Sequence, residues 1–321
     1  MNRGTKIVVS VVVSAFNRKD LVLRALQSAQ QSTYSSTELI YVDQGSEDGT
    51  IEALKDIPGL RVVSCESRSA TMSRNAGASV AKGDIILFLD SDAELFPDTI
   101  ERAVEMFIDA QVGIVGPVIL SSEDRKTVLT RGVVFVPLLF VPIEVRLTTI
   151  NHDPTMEFHS NTTVFAITEA CMFMRKSLFD NLGGFDTDLL PYGEEGFDIC
   201  WRCWKYGHSV RVVDTVAFHR PTSVNPRLQS TNVVKERLTY YLANTVLVYV
   251  KDSDATAILN MPIAFIKSSI VNYRYTGVLG PLKSLALFCS NLEVFTRKRS
   301  QAISSPQRSS RMIRHLVMNE K

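Results

Sequence analysis

The sequence predicts an α/β fold with a mostly parallel central sheet, helices on both of its faces, and a helical region after it. Three observations predict this fold. Runs rich in Val and Ile alternate with segments of helical periodicity in the first third of the chain, which is typical of parallel sheets with crossover helices. These runs are continuously apolar, as strands covered on both faces are. From residue 225 onward only helical periodicity remains.

The first half alternates regularly between strand and helix. Lys6–Ser14 is a β-branched run that predicts a buried strand, and Asp20–Gln31 carries Leu and Ala at nearly helical spacing. Pro97 stands where a helix can begin, because a missing N–H costs nothing at the first helical position. The remaining strands and helices of this half are predicted at Glu38–Asp43, Asp48–Lys55, Leu60–Ser64, Ala70–Ala81, Asp84–Leu89 and Pro97–Ile108.

The second half is less regular and divides near residue 224. Strands are predicted at Gly113–Leu120, Val133–Val136, Val164–Met174 and Val210–Phe218, with a turn at Leu182–Asp186 and a helix at Glu195–Tyr206. The later segments are helices at Val233–Val250, Ala255–Arg274 and Leu279–Arg297, and a frayed tail from Ser300. We therefore expect an α/β domain over residues 1–224 and a helical region with a basic tail over residues 225–321.

Composition excludes several classes of protein. The chain has 321 residues, of which 45% are hydrophobic, so it can bury a sizeable core. Its net charge of +1 argues against a nucleic-acid partner. The odd number of cysteines, five, argues against a disulfide framework and favours a reducing, cytoplasmic setting. The apolar stretches Ile7–Phe16 and Val133–Val145 are shorter than the roughly 18 residues that a spanning helix needs.

Two carboxylates follow the fourth predicted strand. Asp90 and Asp92 come directly after an apolar run, and ligands of parallel sheets bind at the carboxyl ends of the strands. Two acidic groups so close together would repel each other unless a cation lay between them. Mg²⁺ is typically held by one or two carboxylates together with substrate phosphates. The alternative is that both residues are turn and capping residues.

A glycine-containing turn follows the second predicted strand. The segment Asp43–Gly49 contains Gly45, which allows close backbone approach and a positive φ. Asp43 could hold a ribose or a base by hydrogen bonds. Turn chemistry alone would also account for much of this segment.

Several motifs in this order carry a resemblance to a known family. They are Ser14–Asn17, Val42–Gly49, Ser73–Gly77, Ala81–Asp84, Leu89–Asp92, Leu182–Asp186 and Glu194–Arg202. Together they resemble the signatures of family 2 glycosyltransferases over about residues 6–220, and the rhamnosyltransferase-like enzymes of polysaccharide and glycolipid assembly are the nearest in character. The resemblance implies the GT-A fold, which is Rossmann-like and binds nucleotide sugars.

The resemblance implies donor-binding roles for four residues near the first two strands. Ser14 and Asn17 would lie in the turn that contacts the nucleoside, and Asp43 would bind the nucleoside itself. The position after Asp43 is usually a second Asp that contacts the base in some members. Here it is Gln44, so uracil, thymine and guanine all stay open as the donor base.

The resemblance also implies a site for the donor diphosphate and a divalent cation, Mg²⁺ or Mn²⁺. Arg74 and Asn75 would lie near the nucleotide, with Arg74 available to the diphosphate. Asp90 and Asp92 would bind the ribose and the metal–diphosphate, with Asp92 the stronger metal ligand. His219 follows a predicted strand, and it is either a further metal ligand or an ordinary polar residue at a strand end.

The catalytic base of the resembled family is the second carboxylate of a pair at a helix start. In this chain that stretch is one residue longer than the family pattern. Counted forward from Tyr192, the base is Glu195. Counted back from Arg202, the base position is Gly196. We predict Glu195, because it is the nearest carboxylate in both alignments.

Two further acidic residues belong to the same candidate catalytic cluster. Glu194 is the second candidate for the base. Asp198 is the third member of the cluster, although it could instead form a helix pair with Arg202, four residues later.

The implied function is transfer of a sugar from a nucleoside-diphosphate sugar to a saccharide or lipid-linked acceptor, with inversion and a divalent cation. Two alternatives stay open. A nucleotidyltransferase would use a related sheet, but it would normally show a Gly-rich basic segment after the first strand. A degenerate nucleotide-sugar-binding subunit is compatible with the extra residue beside the predicted base.

The C-terminal region is basic. From Lys267 onward, ten Lys and Arg residues accompany two Glu residues, with apolar runs between them. Basic amphipathic helices can bind anionic membranes, and each basic residue near the surface adds about 1 kcal/mol. The sequence therefore predicts either peripheral contact with the inner membrane face or a helical subdomain packed on the core with a solvated basic face.

Overall fold

The computed structural model describes residues 6–135, 142–144, 162–189 and 194–220. Of the later chain it describes residues 243–244, 247–248, 282–287, 289–291, 293 and 310–319. No helix within these ranges combines the length and the apolar character that crossing a bilayer requires.

The first half forms the predicted alternation of strands and helices. Its elements are β1 (Val9–Ala15), α1 (Lys19–Gln30), β2 (Thr37–Asp43), α2 (Thr50–Leu54), β3 (Leu60–Ser64), α3 (Ala70–Val80), β4 (Ile85–Asp90), β5 (Ala93–Leu95) and α4 (Thr99–Met106). The helix predicted to begin at Pro97 begins at Thr99 instead, and Asp98 is its N-cap residue. The short strand β5, just after the two aspartates, was not predicted.

The second half adds seven described strands and further helices. They are β6 (Val112–Ser121), β7 (Val128–Thr130), β8 (Val133–Phe135), β9 (Pro142–Glu144), β10 (Thr162–Val164), β11 (Cys171–Arg175), α5 (Lys176–Asn181), α6 (Glu195–Lys205) and β12 (Ser209–His219). Of the strands described in the chain, β6 and β12 are the longest. The helix α7 (Ser310–Asn319) follows in the C-terminal part.

The main sheet is mixed and brings the polar strand ends to one edge. Its order is β10-β12-β6-β11-β4-β1-β2-β3, with β5 paired to β12 and β7 to β6. Strands β1 to β4 are mutually parallel where they pair, so Ser14 lies beside Asp90 and Ala15 beside Asp43. Strand β11 is antiparallel to both of its neighbours. The antiparallel pairing of β5 with β12 places His219 opposite Ala93.

One predicted strand, Val164–Met174, is wrong in the structure. It divides into β10 and β11, which lie at different places in the sheet. The chain leaves the sheet between them, and Phe165, Ala166 and Ile167 are buried in the core on the way. The polar pair Thr168 and Glu169 interrupts the apolar run at this break, and the prediction of one strand passed over it. Glu169 lies in the segment between the two strands.

The core lies on both faces of the sheet. One cluster packs side chains of α3, α5, α6 and α7 against the sheet, and includes Phe88, Trp201 and Trp204. The other cluster packs α1, α2 and α4 against the opposite face, and includes Leu26 and Ile100. The sheet is therefore covered on both sides, as the continuous apolar strands predicted.

The predicted frayed tail is wrong where the structure describes it. Residues 310–319 form α7, and Ile313 and Val317 are buried against the core. They lie at i and i+4, so they share one face of the helix. Leu316 also packs against the core, so the i, i+3, i+4 pattern of a helix was present in the sequence and the prediction of a frayed tail overlooked it. The predicted helices over 233–250, 255–274 and 279–297, and the membrane contact based on them, lie largely outside the described residues.

Close approach between α3 and the sheet depends on Gly77. A Cβ at this position would lie 2.3 Å from Val12 Cγ1 and 2.9 Å from Val42 Cγ2. In Gly77→Ala, overpacking costs about 1–3 kcal/mol, whereas improved helix propensity returns about 1 kcal/mol. We expect a net fall in the free energy of unfolding, measured by urea denaturation. Ser79→Ala, at an exposed position of the same helix, is the control. A Gly77→Ala protein more stable than the wild type would contradict this packing.

Candidate active site

The strand ends form one polar cleft. The loops after β1, β2 and β4 meet at the carboxyl edge of the parallel strands, and the end of β12 reaches the same edge beside β5. The start of α6 reaches this edge as well, since Glu195 contacts Arg74 of α3. The cleft therefore gathers residues from both halves of the α/β domain.

Asp90, Asp92 and His219 form a cluster suited to a cation. One ligand atom from each residue lies within 4.8 Å of the others. His219 Nε2 lies 3.1 Å from Asp92 Oδ1 and 3.7 Å from Asp90 Oδ2. Two carboxylates and one imidazole are a donor set that Mn²⁺ and Mg²⁺ accept. The residues present therefore fit a divalent cation.

Positive charge already balances the two aspartates in this cluster. Burial would lower the pKa of His219, but its hydrogen bond to Asp92 and the charges of both aspartates raise that pKa overall. Burial opposes ionisation of Asp92, yet its pKa is lowered by His219 and Arg18. Arg18 Nη1 also donates to Asp92 Oδ2 at 3.2 Å. A bound cation would add positive charge to the same carboxylates, and His219 would ligate it as the neutral imidazole.

Arg74 links the aspartates to the start of α6. Its Nη2 donates to Asp90 Oδ1 at 2.8 Å, and its Nη1 donates to Glu195 Oε1 at 3.1 Å. The side chains of Arg74 and Glu195 are about one-tenth exposed. Burial works against the charge of Arg74, but Asp90 and Glu195 raise its pKa well above the usual range. The guanidinium is therefore fixed between the predicted donor site and the predicted base.

Glu169 is a further carboxylate at this site, and the sequence analysis missed it. It is half-buried beside the first turn of α6, where a Cβ at Gly196 would lie 2.4 Å from Glu169 Oε2. Burial, and then the charge of Glu195, raise the pKa of the Glu169 carboxyl. The sequence feature that could have identified Glu169 is that it is the one acidic residue in the mostly apolar segment 164–174.

The two other predicted acidic residues have different surroundings. Glu194 has a left-handed backbone, φ 72°, where the chain enters α6. Asp198 is fully buried and accepts from Arg202 Nε at 2.9 Å. Arg202 Nη1 donates to the carbonyls of Leu182 and Gly184, at 2.9 Å each. The Asp198–Arg202 pair therefore holds the preceding turn, which favours the helix-pair alternative.

Asn75 is engaged with the same turn. Its Nδ2 donates to the carbonyl of Phe185, and its Oδ1 accepts from the amide of Phe185, both at 2.9 Å. Gly184 has φ +77°, and a Cβ there would lie 2.8 Å from Asn75 Oδ1. Asn75 thus ties α3 to the turn before α6, and its predicted donor contact stays a prediction.

The predicted nucleoside residues join the loops after β1 and β2. The Asn17 amide donates to Ser46 Oγ at 3.0 Å, and Asn17 Oδ1 accepts from the amide of Glu47 at 2.8 Å. Asn17 has φ 51°, which its short polar side chain tolerates. Ser14 Oγ accepts from Ser73 Oγ at 3.2 Å. These contacts shape the first wall of the cleft.

Asp43 and Gln44 also form hydrogen bonds with nearby protein groups. Asp43 accepts from the amides of Gly45 and Ser46 at 3.1 Å each, and from the Tyr41 hydroxyl at 3.0 Å. Gln44 Nε2 donates to the carbonyl of Ser67 at 2.9 Å. Turn chemistry therefore accounts for these contacts, and the donor roles of both residues stay predictions.

Comparisons with known proteins support the fold and the family. The family model described as "Glycosyl transferase family 2" matches residues 10–183. A crystal structure of GalNAc-T7 with UDP, GalNAc and Mn²⁺ is similar with a TM-score of 0.68 and 17% identity, over 97% of this chain and 56% of that chain. The mannosyltransferase PcManGT from Pyrobaculum calidifontis, in complex with GDP-Man and Mn²⁺, has a TM-score of 0.58 and 18% identity, over 98% and 89%. The predicted GT-A fold is confirmed.

Similarity to curated proteins covers shorter stretches. The Escherichia coli UDP-Glc:alpha-D-GlcNAc-diphosphoundecaprenol beta-1,3-glucosyltransferase WfaP is 34% identical over 26% of this chain and 35% of its own length. Mouse polypeptide N-acetylgalactosaminyltransferase 16 is 27% identical over 64% of this chain and 38% of its own length. The Rhizobium meliloti succinoglycan biosynthesis protein ExoO is 36% identical over 30% and 29%. The chain thus matches about a third of each of these relatives.

The surroundings of Asp198 predict a structural phenotype. In Asp198→Asn the buried Arg202 loses its charged partner, and breaking one member of a buried pair costs about 3–5 kcal/mol. We expect that loss in urea denaturation, with the affinity of the folded protein for a nucleoside diphosphate and Mn²⁺ unchanged. The exposed pair Lys176–Asp180 supplies the control, since Asp180→Asn should cost about 1 kcal/mol or less. Wild-type stability in Asp198→Asn would contradict the structural role.

Proposed function

Because the chain belongs to glycosyl transferase family 2, we propose that it transfers a sugar from a nucleoside-diphosphate sugar to a hydroxyl of a saccharide or lipid-linked acceptor. The reaction depends on a divalent cation and inverts the anomeric carbon. One observation carries the proposal: Arg74 contacts both Asp90, of the cation cluster, and Glu195, of the acidic cluster at α6. Charge stabilisation for a leaving diphosphate and a proton acceptor for a hydroxyl thus occur side by side.

The donor lies with its nucleoside at the loops after β1 and β2 and its diphosphate at the strand ends. Ser14, Asn17, Asp43 and Gln44 line the nucleoside side. Arg74 is fixed by two carboxylates, so it offers a preorganised positive charge that costs little reorganisation during the reaction. The structures with UDP or GDP-Man and Mn²⁺ support a nucleotide donor and a cation here.

The cation site consists of Asp90, Asp92 and His219. A divalent cation bound there supplies positive charge that stabilises the departing nucleoside diphosphate. Asp92 is oriented by Arg18 and His219, whereas Asp90 is oriented by Arg74. Each ligand is therefore held by a second contact, which keeps the site preorganised.

The transfer itself is a single displacement. The acceptor oxygen forms a bond to the anomeric carbon on the face opposite the diphosphate, and the bond from that carbon to the phosphate oxygen breaks. The nucleoside diphosphate leaves with the electron pair, and a carboxylate of the protein takes the hydroxyl proton. Glu195 is the carboxylate that the sequence predicts for this step, and Glu169 lies beside it. General base assistance typically contributes about 10²–10⁴-fold.

The acceptor is a growing saccharide or a lipid-linked sugar. Similarity to WfaP, which is named for a diphosphoundecaprenol-linked acceptor, and to ExoO, named for succinoglycan biosynthesis, supports polysaccharide or glycolipid assembly. Peripheral binding of the basic C-terminal region to the cytoplasmic membrane face would bring the enzyme to such an acceptor. A deoxyhexose donor, which the resemblance to rhamnosyltransferase-like enzymes implies, is one candidate.

Release of nucleoside diphosphate tests this function. UDP-, GDP- and dTDP-sugars are supplied in turn with a bacterial membrane lipid extract as acceptor, with Mn²⁺, Mg²⁺ or EDTA. We expect release from one donor with a divalent cation, and at least a hundredfold less with EDTA because the leaving charge loses its partner. Pyrophosphate chemistry instead would indicate a nucleotidyltransferase. Nucleotide binding with no turnover in any combination would indicate a degenerate binding subunit.

Variants separate the site from the rest of the chain in the same assay. Asp92→Ala and His219→Ala each remove a predicted ligand and should lower Mn²⁺-dependent release by about 10²-fold or more. Asp56→Ala, at an exposed position away from the cleft, is the matched control and should keep wild-type release. Full activity in Asp92→Ala would remove the cation cluster from the mechanism.

A further inference from the structure

We propose that Glu169 is a catalytic carboxylate that accepts the proton of the acceptor hydroxyl. This inference rests on the proposed sugar transfer and assigns its proton transfer to Glu169 instead of Glu195. Glu169 lies in the segment that joins β10 to β11, far in sequence from the acidic cluster that begins α6.

The carboxylate of Glu169 occupies the space that a side chain at position 196 would take. An ideal Cβ built on Gly196 lies 2.4 Å from Glu169 Oε2 and 3.4 Å from the Glu169 amide nitrogen. Gly196 has an ordinary helical backbone, since it is not among the glycines with positive φ. The space beside Gly196 is therefore filled by the Glu169 carboxylate and, at 3.1 Å, by the Ile167 carbonyl oxygen. The Glu169 carboxylate therefore lies beside the first turn of α6, at the position where Gly196 supplies no side chain.

Glu195 and Glu169 differ in their hydrogen-bond partners. Glu195 Oε1 accepts from Arg74 at 3.1 Å, and Arg74 holds Asp90 at the same time. Within the described part of the chain, no side chain donates a hydrogen bond to Glu169. Glu195 is 8% exposed, whereas Glu169 keeps more of its surface accessible. Glu169 thus has oxygens available to a substrate hydroxyl, and because burial raises the pKa of its carboxyl to about 8, it accepts that proton only where the pH is near or above 8.

The division of roles follows from these contacts. Arg74 and Glu195 form a fixed ion pair that orients the guanidinium towards Asp90 and the diphosphate side. Glu169 lies next to that pair and within range of its charges. As the acceptor oxygen bonds to the anomeric carbon, its O–H bond breaks and the proton passes to Glu169. The nucleoside diphosphate leaves with the electron pair of the broken bond, so the step needs no other reactant.

The isosteric variant Glu169→Gln, in the full-length protein, removes the proton acceptor and keeps the shape. Turnover is measured with the donor and acceptor for which the wild type is active, and the Kd of the matching nucleoside diphosphate with Mn²⁺ is measured by calorimetry. We expect kcat to fall about 10²–10⁴-fold, with Kd changed less than about threefold. A purely structural Glu169 would move the unfolding transition instead and would leave the turnover of the folded protein intact.

Relocation of the carboxylate gives the sharper test. In Glu169→Gly with Gly196→Asp the acid moves to α6, where the nearest remaining atom to the new Cβ is the Ile167 carbonyl oxygen at 3.1 Å. Glu169→Gly with Gly196→Ala is the matched control, since it makes the same backbone change without a carboxylate. We expect the Asp-bearing pair of substitutions to give at least about tenfold higher kcat than the Ala-bearing pair.

Four outcomes are informative. Turnover of Glu169→Gln within about threefold of the wild type overturns the inference, and so does equal kcat for the two double variants. Loss in Glu169→Gln with recovery in the Asp-bearing double variant supports it. A wild type without sugar transfer from any donor, despite binding nucleoside diphosphate with Mn²⁺, instead rejects the proposed function and the inference with it.

Discussion

The ion pairs of Arg74 are the interaction on which the rest of the site depends. The buried guanidinium of Arg74, on α3, contacts Asp90 at the end of β4 and Glu195 at the start of α6. These two residues lie 16 and 121 positions after Arg74 in the sequence. Arg74 therefore fixes the second half of the domain against the first where the polar cleft opens. Arg74 is itself buried, and removing its carboxylate partners would leave a buried charge unpaired, which costs several kcal/mol. A planar fork with five donors can contact two carboxylates at once, which Lys could not do as well.

Sheet topology supplies the other half of the arrangement. Parallel pairing of β1, β2 and β4 brings Ser14, Asp43 and Asp90 to one edge. The antiparallel pairing of β5 with β12 then returns the chain so that His219 meets Asp92. The side chains that orient the cleft are themselves fixed, since Asn75 and the Asp198–Arg202 pair hold the turn before α6. The side chains of the cleft are thus held by protein partners without a ligand, which is the arrangement that electrostatic preorganisation requires.

Much of the fold and of the candidate site was predictable from the sequence. The features that the sequence did not predict were missed for physical reasons. In the first half, short apolar runs that alternate with helical segments predicted β1 to β4. Because ligands bind at the carboxyl ends of parallel strands, Asp90 and Asp92 were predicted as site residues. Glu169 was missed because the apolar residues on both sides of Thr168 and Glu169 favoured one long strand, and the polar pair was not taken as a break. Helix α7 was missed because the Ser-, Gln- and Arg-rich composition of the tail outweighed the apolar pattern of Ile313, Leu316 and Val317. Asn75 and Asp198 carried the residue types of a binding site, and only their three-dimensional partners showed that both hold a turn.

The location of Mn²⁺ and nucleotide in a crystal of the full-length protein tests the central claim most directly. Crystals would be grown with Mn²⁺ and the nucleoside diphosphate that binds, with data collected at the manganese absorption edge. The account predicts an anomalous peak coordinated by Asp90, Asp92 and His219, with Arg74 still joining Asp90 to Glu195 and the diphosphate at the cation. A peak elsewhere, or a nucleotide bound away from the ends of β1, β2 and β4, would contradict it.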